Sequence, residues 1–173
     1  MGENQIQVQK AKFSWVSAQP MGTIFEILSK SYENFFTIEN DLKDTWEDTW
    51  AEYDQEVSEY PTSLGNCGFF TKIRGKVVGF ASFGSQDGGS LGTICNNCVL
   101  PDYRRKGLGM AQMRIILSIL RAKGFEIAKV STLEHPFFRP ARRLYKKCGF
   151  KEERRFYPKR IKRFRIIDYY KLL

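Results

Sequence analysis

Apolar positions along this chain switch between the three- and four-residue spacing of a helix and the short runs of a strand. Met21, Ile24, Phe25, Ile27, Leu28 and Tyr32 form a helical stripe over Met21–Tyr32. Asn34–Asn40, with Phe35 and Phe36 inside it, reads as the connection to a second helix over Glu39–Val57. In that helix Leu42, Trp46, Thr49 or Trp50, Tyr53 and Val57 repeat on one face, and core packing is the expected role of the two tryptophans. The remaining face carries Asp41, Asp44, Glu47, Asp48, Glu52 and Asp54, a solvated face that could also attract a cation.

Ahead of these helices, Phe13–Val16 reads as a first strand and residues 1–12 as a frayed, flexible end. After a turn-rich stretch from Pro61 to Gly68, Phe69–Ile73 and Lys76–Phe83 are β-prone runs joined at Arg74-Gly75, a short hairpin. Gly84–Gly92, with Gly84, Gly88, Gly89 and Gly92, reads as a flexible loop, and Leu91–Leu100 as the next strand. A third helix is expected over Gly107–Lys123, apolar at Leu108, Ala111, Ile115, Ile116, Ile119 and Leu120 and stopped by Gly124. Glu126–Glu134 is a strand, Pro140 opens a short helix to Cys148, and Phe150–Tyr157 and Arg163–Leu172 close the chain as two more strands. The strand–helix–strand unit from Leu91 to Glu134 should be parallel and right-handed. The order predicts an α/β fold with a mixed sheet and helices on both faces.

At 173 residues, with 42% hydrophobic and 14% aromatic residues, the chain is expected to be a single domain, 1–173, with a core of its own. No apolar run approaches the roughly 18 residues of a membrane span, and Met1–Lys12 lacks the apolar region of a signal peptide, so a cytoplasmic protein without membrane contact is expected. There the four cysteines, Cys67, Cys95, Cys98 and Cys148, would stay thiols. Cys95 and Cys98 form a C-x-x-C pair, but within a strand positions three apart face opposite sides, so no metal site is expected. The net charge of +9 is uneven: Glu33–Glu59 holds ten Asp/Glu and one Lys, Arg139–Arg165 thirteen Lys/Arg and two Glu. Such asymmetry suggests partners of opposite sign.

Between the strand ending at Leu100 and the helix after it lies the basic turn Pro101-Asp102-Tyr103-Arg104-Arg105-Lys106-Gly107-Leu108-Gly109. A helix start leaves up to four backbone N–H groups without helical partners, and their dipoles favour an anion. Gly107 and Gly109 let a phosphate approach the amides, and Arg104, Arg105 and Lys106 add positive charge, so a phosphorylated ligand is predicted, a pyrophosphate above all. An ordinary strand-to-helix turn with solvated cations would show the same spacing. The pattern is neither G-x-x-x-x-G-K-[ST] nor G-x-G-x-x-G, since Gln112 stands three residues after Gly109.

Arg104-Arg105-Lys106-Gly107-Leu108-Gly109 resembles the R/Q-x-x-G-x-G/A loop of the GNAT superfamily of N-acetyltransferases. A second block, from Ala141 to Phe150 with Leu144, Tyr145, Gly149 and Phe150, is similar to that family's A-x-x-L-Y-x-x-x-G-F pattern, and the likeness covers residues 67–155 best. The resemblance implies a central mixed, mostly antiparallel sheet with one splayed parallel strand pair and about four flanking helices. It implies acetyl-CoA as cosubstrate and no metal. The pantetheine would pair with main-chain groups of Asn97, Cys98 and Val99, and the pyrophosphate would lie on amides of Arg105 to Met110, which include Lys106, Gly107, Leu108 and Gly109.

It further implies an amine that attacks the thioester directly in a ternary complex, with Tyr145 as the acid that protonates the departing thiolate. An amine with a pKa of about 10.4 must first lose a proton. Glu134 is the leading candidate base, with the lone histidine, His135, or a carboxylate of the second helix acting through water as alternatives. The family's asparagine three residues before the alanine is replaced here by Phe138, which puts the cofactor contacts near that helix in doubt. The expected acceptor is a primary amine on a small molecule or protein; a homodimer is left open. Two competing readings are a nucleic-acid-binding module built on the basic last third, which is not favoured, and a non-catalytic acyl-CoA sensor.

Overall fold

A computed structural model describes residues 10–85, 89–159 and 163–173. Residues 1–9, the middle of the glycine loop at 86–88, and residues 160–162 lie outside the described residues. The described chain forms seven strands and four α-helices: β1 (Ala11–Trp15), α1 (Thr23–Phe36), α2 (Lys43–Glu59), β2 (Gly68–Ile73), β3 (Lys76–Ser85), β4 (Leu91–Val99), α3 (Leu108–Ala122), β5 (Ile127–Leu133), α4 (Arg139–Lys147), β6 (Lys151–Phe156) and β7 (Ile166–Leu172). The strands hydrogen-bond in the order β1-β2-β3-β4-β5-β7-β6. The β1–β2, β2–β3, β5–β7 and β6–β7 pairs are antiparallel, and β4–β5 is parallel. This is the mixed sheet with one parallel pair that the element order demanded.

Two compact units divide the chain: one runs to Ser82 and takes in Asn96–Ala111, the other comprises Phe83–Cys95 and Gln112–Leu173. In the first, β1, β2 and β3 make a meander. The β2–β3 turn is the two-residue Arg74-Gly75 loop, with φ of 51° and 80°. Positive φ at both central positions is what a right-twisted hairpin requires of so short a connection.

Helix α1 runs four residues beyond Tyr32. The segment expected to be a connection continues the stripe Ile24, Ile27, Leu28, Ser31 to Phe35 and buries Phe35 and Phe36. Asn34 is a weak helix former, but burial of two phenylalanine rings outweighs a propensity difference of under about 1 kcal/mol. Their partners are Trp46 and Trp50 of α2, with ring centroids 5.3–5.8 Å apart, and Tyr32 joins the same cluster. The second helix starts late, after a 3-10 turn at Asn40–Leu42.

Asp54 departs from the solvated face assigned to it. It is 5% exposed and accepts a hydrogen bond from the Phe25 N–H at 3.0 Å, with the N–H groups of Gly22 and Ile24 also directed to it. It therefore caps the N-terminus of α1 from a neighbouring helix, in place of a side-chain cap within α1 itself. Burial raises its pKa against the pull of those three amides.

In the second unit β4 and β5 pair from Leu91↔Ile127 to Ile94↔Val130. That ladder takes four pairs, whereas β4 has nine residues and β5 seven. Strand β5 continues its antiparallel pairing with β7 along its whole length, to Leu133↔Ile166. Arg163, Phe164 and Arg165, expected to open the last strand, precede it: β7 starts at Ile166. Gly124 and Gly149 close α3 and α4 with φ of 84° and 83°, the left-handed stop that glycine permits.

Candidate active site

The loop from Leu100 to Gly107 is built from both of its ends. Val99, at the end of β4, and Leu108, at the start of α3, are both buried and pack in one cluster with Ile73 and Val78, against which Tyr103 and Ala11 also lie. Between these anchors the backbone turns through a 3-10 turn at Pro101–Tyr103, where the Tyr103 N–H bonds to the Leu100 carbonyl and the Arg104 N–H to that of Pro101. The Leu100 N–H is tied to the Val78 carbonyl at 2.9 Å. Arg105 and Gly107 then adopt positive φ, 58° and 81°. A non-glycine residue in that region is uncommon and marks a backbone the surroundings hold in place.

The Ala111 N–H donates to the Gly107 carbonyl at 3.0 Å, which makes Gly107 the residue before the helix. The N–H groups of Leu108 and Gly109 lie in the turn ahead of that bond, at the positive end of the helix dipole. Arg105 is exposed, and the Lys106 Nζ sits 5.4 Å from the centroid of the Tyr103 ring. Main-chain donors at a helix start, positive-φ turns and two cations are the donor set a diphosphate takes, so the residues present fit the nucleotide end of acetyl-CoA. Arg104 differs from its neighbours: its guanidinium donates from Nε to the Val99 carbonyl at 2.9 Å and from Nη2 to the Ser31 carbonyl at 2.5 Å.

Strand β4 supplies Asn97, Cys98 and Val99 in the same unit as the loop. Cys95 is exposed and Cys98 buried, so the two thiols fall on opposite faces, as strand geometry requires. Adjacent Cys98 and Val99 are both buried, so strict alternation ends there. Burial pushes the Cys98 thiol up to about 11, against the opposing effects of the Ser31 hydroxyl, the Phe80 main chain and Arg104. A thiol held protonated in this way is not a nucleophile near neutral pH. Asn96, one residue further back, donates to the Ser82 hydroxyl at 2.8 Å.

The other expected residues lie in the second unit. Tyr145 is 6% exposed and packs against Phe150 and Tyr169, with centroids 6.3 and 5.7 Å away. Burial, with smaller contributions from Tyr169 and Cys148, raises its phenol well above the usual tyrosine range, so it keeps its proton. Glu134, just past β5, pairs with Arg155 and Arg165 at 2.5 and 2.6 Å. Arg155 also pairs with Glu152.

His135 is buried; its Nδ1 accepts from the Phe137 N–H at 3.2 Å and its ring meets Phe164 edge to face. Those contacts are those of a packing residue. Arg142 donates to the carbonyls of Leu133 and His135 at 3.1 and 2.9 Å, and so fastens α4 to the end of β5. Phe138, which replaces the family's asparagine, is buried against Phe137.

Two residues that matter here were not singled out from the sequence. Ser31 faces Cys98 and takes Arg104; its signal was a polar residue on the apolar stripe of α1. Arg165 was read only as part of a strand pattern, and nothing local announces that it meets Glu134, 31 residues away.

Residues 24–150 match the model of the acetyltransferase (GNAT) family. The chain belongs to that family. It is an acetyltransferase and acetyl-CoA is its acetyl donor. Solved structures share its fold. A GNAT-family protein from Desulfovibrio desulfuricans superposes with a TM-score of 0.76 at 20% identity, covering 94% of this chain and 98% of that one. A Salmonella typhimurium protein solved with its cofactor acetyl-CoA gives 0.72 at 20% identity, over 95% and 94%. The ribosomal-protein-S18-alanine N-acetyltransferase from Escherichia coli gives 0.61 at 20% identity, over 92% of each chain. No curated protein matches this chain closely. Among the described residues no helix of this acetyltransferase is long and apolar enough to cross a membrane, and no group of side chains could hold a metal ion.

Proposed function

We propose that this acetyltransferase moves the acetyl group of acetyl-CoA onto a primary amine of a small molecule or protein, by direct attack of the amine on the thioester. The observation that carries the reading is the turn into α3, where positive-φ Arg105 and Gly107 precede a helix whose first hydrogen bond starts at Ala111. In this reading the amides around Gly107, Leu108, Gly109 and Met110 receive the diphosphate, with Arg105 and Lys106 beside it. Main-chain groups of Asn97, Cys98 and Val99, beyond the four-pair ladder of β4, take the pantetheine and orient the thioester.

Direct transfer is favoured over an acetyl-enzyme because the thiol on this stretch, Cys98, is buried and holds its proton. Tyr145 is the acid toward the departing thiolate: burial keeps it protonated and therefore a hydrogen-bond donor, while the same raised pKa makes its proton harder to release than that of an ordinary phenol. Glu134 takes up the amine's proton through water. Both its oxygens already receive guanidinium N–H groups, so it accepts a proton only by loosening Arg155 or Arg165. The acidic face of α2 supports a cationic acceptor.

The test is calorimetric titration with acetyl-CoA, followed by an acetylation screen of polyamines, aminoglycosides, amino acids and peptide N-termini. Saturable binding with 1:1 stoichiometry and turnover on one amine class is the expected result. No binding at millimolar acetyl-CoA would end the proposal, and binding without turnover on any amine would favour the sensor reading.

A further inference from the structure

Arg104 opens the loop motif, and by charge and place it looks like a ligand of the diphosphate. Two of its donors, on Nε and Nη2, are committed elsewhere. Nε closes the loop onto Val99, the last residue of the strand that feeds it, and Nη2 reaches the main chain of α1 at Ser31, 73 residues earlier in the sequence. Ser31 is 2% exposed and also faces the Cys98 thiol, so the tie runs into the interior of its unit. Arg105 and Lys106 take part in no ion pair among the described residues, and Lys106 leans only on the Tyr103 ring.

We infer that Arg104 is a positioning residue for the cofactor loop, a fork between the Val99 and Ser31 carbonyls, and that the charge toward the diphosphate comes from Arg105 and Lys106. The inference rests on the acetyl-CoA reading above. A guanidinium offers rigid, diverging N–H donors, and two carbonyls some distance apart are what such a fork spans; a lysine of equal charge offers one point of attachment. The residue as a whole is exposed, but the two hydrogen-bonded nitrogens are partly buried, and desolvation there lowers the Arg104 pKa. Were Arg104 to swing out to a phosphate, two carbonyls would lose charged donors. The Val99 carbonyl is held by the Nε bond, so loss of the fork should disturb the stretch proposed to orient the pantetheine as well as the loop.

The experiment is acetyl-CoA titration of the full chain carrying Arg104→Lys, Arg104→Gln, Arg105→Ala or Lys106→Ala, at low and high sodium chloride. Each variant is confirmed folded at the measuring temperature by circular dichroism. If Arg104 positions the loop, Lys and Gln weaken binding alike, by about tenfold, and the salt dependence keeps its wild-type slope. Arg105→Ala and Lys106→Ala weaken binding and flatten that slope. Amide exchange across 100–110 should rise in both Arg104 variants. Wild-type affinity in Arg104→Lys, a flattened salt dependence in Arg104→Gln, or no loss in either overturns the inference. Failure of the wild-type chain to bind acetyl-CoA is a separate result and strikes the proposed function instead.

Discussion

Gly107 and Gly124 bracket α3 with almost the same backbone, φ 81° and 84°, and this symmetry allows a controlled test of the anion site. An alanine at either position meets the same intrinsic penalty for a left-handed conformation, about 1–2 kcal/mol. At Gly124 nothing lies within 4 Å of where the Cβ would sit, so Gly124→Ala measures strain alone. For a chain of 173 residues that strain corresponds to a fall in Tm of roughly 2–8 °C. Gly107→Ala meets the same left-handed penalty, and any rotation of its peptide units in response turns the first amides of α3 off their aim. If those amides grip the diphosphate, its acetyl-CoA affinity falls by about tenfold or more, equivalent to roughly 1.4 kcal/mol, while Gly124→Ala binds as wild type. Thermal unfolding and calorimetric titration of the two variants side by side read both quantities. A Gly107→Ala protein that loses stability yet binds acetyl-CoA unchanged would refute the assignment of those amides.

Tyr145→Phe keeps the ring contacts with Phe150 and Tyr169 and removes only the donor, so turnover should drop by about 10²-fold at near-normal acetyl-CoA affinity; unchanged turnover removes Tyr145 from the mechanism. Asp54→Ala leaves the first amides of α1 without their acceptor and should cost about 1–2 kcal/mol in thermal unfolding. Asp54→Asn keeps an acceptor without the buried charge. Because the folded pKa of Asp54 is raised, its native state holds a proton the unfolded chain releases, so the wild type is favoured below the ordinary carboxylate range and loses ground to Asp54→Asn as pH rises through the raised value. A stability difference between these two proteins that is the same at about pH 3 and about pH 7 would contradict that sign.

The acetyltransferase fold was largely legible before any coordinates because its key features are local. A β-prone run, Pro101, three cations and two glycines, then a helical stripe from Leu108, are consecutive in the chain. Hairpin turn, helix stops and the strand–helix–strand order follow from backbone preferences of the residues that adopt them. The loop motif and the Tyr145 block could therefore be placed by number, and α3 was found to within a residue or two.

What the sequence could not decide are the partners of polar side chains across long separations. Asp54 read as one more acid on a solvated helix face, and only the approach of α1 turned it into a buried cap. Phe35 and Phe36 read as loop residues until Trp46 gave them something to pack on. Glu134 was weighed as a base on its place at a strand end, whereas two arginines from β6 and the residue before β7 already hold its oxygens. The charge of Arg104 was visible in the motif, but its direction was not. A side chain's periodicity fixes which face it occupies; the energy of a buried hydrogen bond depends on which distant backbone arrives there, and that is set by tertiary packing alone.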